Sequence, residues 1–192
     1  MRQERLIPRN PMRGIHLPAL VKLPRPLPSD HLASLLDRVP SPVGRLLIAL
    51  LCVHALIPGQ AASLRLEQIE PARHRIRLPH RTLYLDTLTT ALLTDWLRTR
   101  QNTWPTTTNP HLLLTPQTAL APHHPTVSPG WIVSILAPTG LNATQLRQDR
   151  LLDEARHTAD PVHLMHLFGI TPGTALRYIH AAHPEQTSKP PR

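Results

Sequence analysis

The sequence predicts a mainly α-helical domain with one small β-hairpin or sheet. Three observations carry this expectation. Apolar residues recur at helical spacing through most of 29–183, and the period switches to alternation once, near 73–85. A capping side chain followed by proline announces helix starts at Ser128-Pro129, Asp160-Pro161 and Thr171-Pro172.

In chain order, residues 1–28 are rich in proline and arginine and lack apolar periodicity, so they read as a basic arm or linker. Residues 184–192 read as a disordered tail. From Ser29, the side chains of Leu32, Leu35, Leu36 and Val39 fall on one helical face. A second helix from about Val43 to Ala55 is apolar nearly all round, which places it at the centre of the core. A turn at Pro58-Gly59 then precedes a short helix over Ala61 to Leu66. Arg73 to Leu78 alternates charged and apolar residues, Pro79-His80-Arg81 interrupts it, and Thr82 to Leu85 resumes it: a hairpin with one basic face. Thr87 to Arg100 is helical with Leu88, Leu92, Leu93, Trp96 and Leu97 inward, His111 to Leu114 is strand-like, and Asn142 caps a helix running to about His157. The 192 residues suit one globular domain, 29–183, with a full core.

Composition narrows the function. Lys and Arg total 21 against 12 Asp and Glu, a formal charge of +9, and nearly all of the cations are arginine. A GC-rich coding bias yields the same excess, so the placement of the charge is more informative than its amount. Arg2, Arg5, Arg9, Arg13, Lys22 and Arg25 crowd the arm, and Arg65, Arg73, Arg75, Arg77 and Arg81 crowd 65–81, as in a protein that follows a phosphate backbone. The one cysteine, Cys52, lies in an apolar run and reads as a buried structural thiol, so no disulfide framework forms and a reducing, cytoplasmic setting is expected. No run is long enough to span a bilayer, and the N-terminus lacks a signal-peptide core, so no membrane partner is expected. His163 and His166 stand i, i+3 on one helix without the companions that zinc spacing requires, so neither metal nor cofactor is expected. Glycine-rich phosphate loops, Gly-x-Ser-x-Gly and Cys-x-x-Cys are absent from the sequence.

Arg147, in Thr144-Gln-Leu-Arg147, and Tyr178, in Leu176-Arg-Tyr178, lie 31 positions apart with a Leu167-Phe168-Gly169 turn between them. With the order helix, hairpin, helix, this resembles the tyrosine recombinase (phage integrase) catalytic domain over 29–183. The resemblance implies that Tyr178 holds the place of the nucleophile and Arg147 that of the second phosphate-binding arginine. It also implies a DNA-contacting hairpin carrying Arg73, Arg75, Arg77, His80 and Arg81. Gln60 to Glu70 follows the family's Leu-x-Leu-Arg-Trp-x-Asp-Ile-Asp stretch, and this register puts Ile57 where the Gly-Leu-Arg-x-x-Glu box has its arginine and Gln60 where it has its glutamate. Thr144 replaces the histidine of His-x-x-Arg, Ile170 replaces the later histidine or tryptophan, and the hairpin has no lysine. Because only the 1–28 arm precedes the matching stretch, no counterpart of the family's N-terminal core-binding domain is expected in these residues.

In that chemistry a tyrosine hydroxyl attacks a phosphodiester while cations neutralise the growing charge, and each lost donor costs on the order of 10²–10³ in rate. The expectation is therefore a double-stranded-DNA-binding, recombinase-like protein of a mobile element, serving site-specific recombination or DNA integration, with impaired cleavage. The alternatives are a non-enzymatic DNA- or protein-binding remnant, in which Tyr178 is a core aromatic, and an unrelated small helical domain. Ala175, Ile179 and Ala182 on the C-terminal helix are the expected face for a second copy. Ile57 and Ile170 are expected to pack against the core.

Overall fold

Ser41 opens the central helix. Its Oγ accepts the Gly44 N–H at 3.3 Å, Pro42 takes the first turn, and α1 (Pro42–Cys52) follows. Leu46, Leu47, Leu50 and Leu51 are all 0 % exposed, so the helix that is apolar all round is indeed the centre of the core. The computed structural model describes residues 26–27 and 34–184. The expected arm and tail, and Ser29 and Leu32 of the first expected helix, lie outside the described residues, except that 26–27 and 184 are included. Residues 34–38 form turns rather than helix.

After α1 come α2 (Pro58–Ser63), a 3-10 turn, β1 (Ile69–Glu70), a second 3-10 turn, β2 (Arg75–Leu78) and β3 (Arg81–Tyr84). The expected turn at Pro58-Gly59 is instead the first turn of α2, because proline fits a helix start. Residues 64–66 leave the helix to pair with 110–112: the Leu66 N–H donates to the Pro110 carbonyl at 2.9 Å and the Leu112 N–H to the Leu64 carbonyl at 2.7 Å. The strand-like His111 to Leu114 thus contributes one bridge, Arg65 with His111. The three strands are antiparallel in the order β1-β2-β3. β1 escaped the sequence reading because two residues are too few to display alternation.

The remaining helices are α3 (Thr87–Thr103), α4 (Pro116–Leu120), α5 (Pro129–Leu136), α6 (Ala143–His157), α7 (Pro161–Phe168) and α8 (Pro172–Ala182). Ser128, Asn142, Asp160 and Thr171 all cap as expected, and Thr115-Pro116 is a further start of the same kind. On α3, Leu92, Leu93 and Trp96 are buried, while Leu88 is turned outward. Among the described residues two hydrophobic clusters result. The larger is built on α1, the sheet and α3; the smaller joins Ala55, Leu151, Leu152, Ala155, Leu164, Phe168, Ala175, Tyr178 and Ile179. The helix α6 belongs to both, through Leu146 in the first and Leu151 and Leu152 in the second. Among the described residues no helix is long and apolar enough to cross a membrane.

Candidate functional site

The site is organised around the end of α1. A helix C-terminus leaves carbonyls without amide partners and carries partial negative charge, so cations gather there. Three arginines from two elements take the successive carbonyls of the three residues that follow α1: Arg150 Nε donates to Val53 at 3.1 Å, Arg81 Nη2 to His54 at 3.5 Å, and Arg147 Nε to Ala55 at 2.8 Å. The chain turns here through Ala55 at φ 51, a left-handed backbone that side chains other than glycine adopt at a cost. Ala55 is where the register drawn above places the glycine of Gly-Leu-Arg-x-x-Glu.

Arg147 is half-buried on α6. Among the described residues its Nε is the one guanidinium nitrogen with a hydrogen-bond partner, so both Nη groups keep their donors for an incoming anion. Burial lowers the pKa of Arg147, and the Tyr178 phenol partly offsets this. Burial also lowers that of Arg81, and the like charge of Arg147 lowers it further. Arg147 thus lies within electrostatic reach of both Arg81 and Tyr178.

Tyr178 belongs to the second cluster and is 4 % exposed. Burial pushes its phenol above the ordinary tyrosine range, with Arg147 and then Arg177 opposing. Among the described residues the hydroxyl has no hydrogen-bond partner. Its helix starts at Thr171, whose Oγ1 accepts the Thr174 N–H at 3.4 Å, and the preceding helix α7 stops at Gly169, φ 62. Arg81 spans this junction, donating Nη1 to the Leu167 carbonyl while its stem lies against Gly169.

The structure divides the predicted hairpin set. With a two-residue turn at Pro79-His80, Leu78 pairs with Arg81 and Ile76 with Leu83, so Arg81 shares the inner face with apolar residues. Arg75 and Arg77 lie on the opposite face with Thr82 and Tyr84. The hairpin thus has a basic face in Arg75 and Arg77, and register turns Arg81 away from it. Arg73, Arg75 and Arg77 converge instead on Glu70, at 3.5, 2.8 and 2.7 Å, and His80 stands exposed at the tip.

The departures from the family boxes also have places. Thr144 is exposed one turn before Arg147 on α6. Ile170 is half-buried against the second cluster, as expected, but Ile57 is 43 % exposed, because it precedes α2 rather than facing the core. The His54 ring bonds Thr89 Oγ1 (3.1 Å) and lies 3.4 Å from Asp86. His163 bonds Glu154 at 2.9 Å, and Glu154 also holds Arg150 at 2.7 Å. The sequence reading missed Arg150, although its i+3 spacing from Arg147 puts it on the same helical face. It likewise missed the inward placement of Arg81, which counting back from a two-residue turn would have found.

No family model and no curated protein matches the chain. Solved structures do. XerA recombinase superposes with a TM-score of 0.70 at 16 % identity over 92 % of this chain. XerH site-specific recombinase bound to difH substrate, in a pre-cleavage complex, superposes with a TM-score of 0.65 at 18 % identity over 91 % of this chain. XerH bound to palindromic difH substrate, in a post-cleavage complex, gives 0.66 at 18 % identity over 86 %. The chain spans 69 % of the XerA protein and 55 % and 52 % of the two XerH chains. Its mainly helical architecture with a small three-stranded antiparallel sheet is the tyrosine recombinase catalytic-domain fold.

Proposed function

We propose that this chain is a duplex-DNA-binding domain of the tyrosine recombinase type, serving site-specific recombination, in which strand cleavage through Tyr178 is impaired. One observation carries the reading. Arg147, docked through Nε on the end of α1, holds both Nη groups ready for a phosphate and is coupled to Arg81 and Tyr178 within a recombinase fold. Planar guanidinium forks suit non-bridging phosphate oxygens, and a donor fixed in advance loses little freedom on binding. Arg73, Arg75 and Arg77 would follow the backbone on the outer face of the hairpin. The two XerH neighbours are DNA complexes by name.

Cleavage would form a bond from the phenol oxygen to phosphorus and break the bond from phosphorus to a sugar oxygen. The phenol proton must leave and the departing oxygen must gain one. Among the described residues the groups placed for either transfer suit it poorly: Thr144 stands in the histidine position, the His54 ring is engaged by Thr89 and Asp86, and a guanidinium holds its protons too tightly. The burial of Tyr178 also favours the second reading, a DNA-binding remnant in which the ring is core.

The test is duplex binding across a salt series. Binding should weaken as salt rises, and the slope should become shallower when Arg73, Arg75 and Arg77 are changed together to Ala, since each phosphate contact contributes about 0.9 to the logarithmic slope. A flat slope, or an unaltered slope in the triple variant, would count against DNA binding by this face.

A further inference from the structure

The outer face of the hairpin carries a carboxylate where an anion from outside would sit. Glu70 is the last residue of β1 and pairs with Arg75 across the ladder, while the turn after it brings Arg73 round. Arg77 reaches Oε1 at 2.7 Å, and Arg75 and Arg73 reach Oε2 at 2.8 and 3.5 Å. The Glu70 side chain is 21 % exposed, whereas Arg73 and Arg77 are 69 % and 63 % exposed, so the carboxylate lies beneath a rim of guanidiniums. These three arginines hold its pKa below the ordinary glutamate value, with burial opposing. It therefore stays charged at neutral pH.

From this geometry we propose that Glu70 is a built-in competitor of DNA phosphate: it occupies the three guanidiniums in the free protein and caps the affinity of the hairpin for duplex DNA. The inference rests on the DNA-binding reading above. A carboxylate and a phosphate oxygen take the same forked donors, so a phosphate approaching Arg73, Arg75 and Arg77 must share them with Glu70 and meets its like charge. The consequence is a surface that binds weakly and releases readily, which suits a domain that slides along DNA without reading bases. A single carboxylate so placed tunes affinity without altering the fold.

The experiment compares Glu70→Gln with the unchanged chain on a mixed-sequence duplex of about two helical turns. Glu67→Gln serves as a control with the same change of net charge; Glu67 is 71 % exposed and pairs only with Arg65 among the described residues, at 2.9 Å. Glu70→Gln should tighten binding about three- to tenfold at low salt, more than the control, and the gain should shrink as salt screens it. In a background with Arg73, Arg75 and Arg77 changed to Ala, adding Glu70→Gln should change little. If Glu70→Gln leaves affinity unaltered, weakens it, or acts equally in both backgrounds, the competitor role is overturned. In that event the DNA-binding reading stands, provided that the triple Ala variant still loses affinity. Absence of duplex binding by the unchanged chain removes both.

Discussion

At the scale of single residues, the chemistry turns on what surrounds one phenol. An unperturbed tyrosine has a pKa of about 10 and is almost wholly neutral at pH 7. Burial raises that of Tyr178, and the neighbouring arginines offset the rise only in part. On the proposed reading, activation must come from a base and from charge neutralisation at the phosphate, and among the described residues the site offers Arg147 and Arg81 with Thr144 in the histidine position. The unchanged protein should give little or no covalent adduct on a nicked suicide duplex, read by gel mobility. Ile57→Arg combined with Thr144→His should restore part of it, because Ile57 is already 43 % exposed and Thr144 is exposed one turn from Arg147. Tyr178→Phe in that background should abolish the adduct. Ready adduct formation by the unchanged chain would sink the impaired-cleavage reading, and an adduct surviving Tyr178→Phe would sink the assignment of the nucleophile.

Elements hold these residues in place through their ends. The helix α6 carries Arg147 and Arg150 and bridges the two hydrophobic clusters, so its first turn matters for the whole site. There Asn142 Oδ1 accepts the Gln145 N–H at 2.9 Å while Gln145 Oε1 accepts the Asn142 N–H at 3.0 Å, a reciprocal cap. Asn142→Ala should lower stability by about 1 kcal/mol in denaturant titrations, whereas Asn142→Ser should recover most of it. Equal loss in both variants would show that the cap is not what Asn142 supplies. The hairpin shows the same dependence on local geometry: one two-residue turn sends Arg81 inward to the junction of α7 and α8 and leaves Arg75 and Arg77 outside with Glu70.

Across the whole molecule, stability depends on polar groups buried where α1 meets α3. His54 is 8 % exposed, with its ring nitrogen held by Thr89 and Asp86. Burial pulls its pKa below 6.5, with Asp86 acting the other way and Arg81 and Arg150 adding to the fall. The folded state therefore keeps the ring neutral at a pH where the unfolded chain takes up a proton. Its contribution is fully present above pH about 6.5 and is lost as pH falls through the folded value, with a slope of at most about 1.4 kcal/mol per pH unit. Thermal midpoints should drop between pH 7 and 5, and His54→Gln should flatten that drop. A variant that keeps the full dependence would place the titrating group elsewhere.

By itself the sequence determined the elements whose physics is local. The all-apolar run had to become the central helix, proline behind a capping side chain had to start α5, α7 and α8, and alternation had to make a hairpin. The spacing from Arg147 to Tyr178, set against those elements, was enough to suggest the recombinase fold. What tertiary structure alone decided is where long side chains end. No local pattern says that Arg81, Arg147 and Arg150 will dock on three successive carbonyls, or that Glu70 will gather three guanidiniums at once, because those contacts join residues 3 to 97 positions apart and have to be met together. Nor does local pattern reveal that Tyr178 is buried or that Ile57 is exposed. Burial depends on how whole helices pack, whereas a cap or an alternation is settled within a few residues.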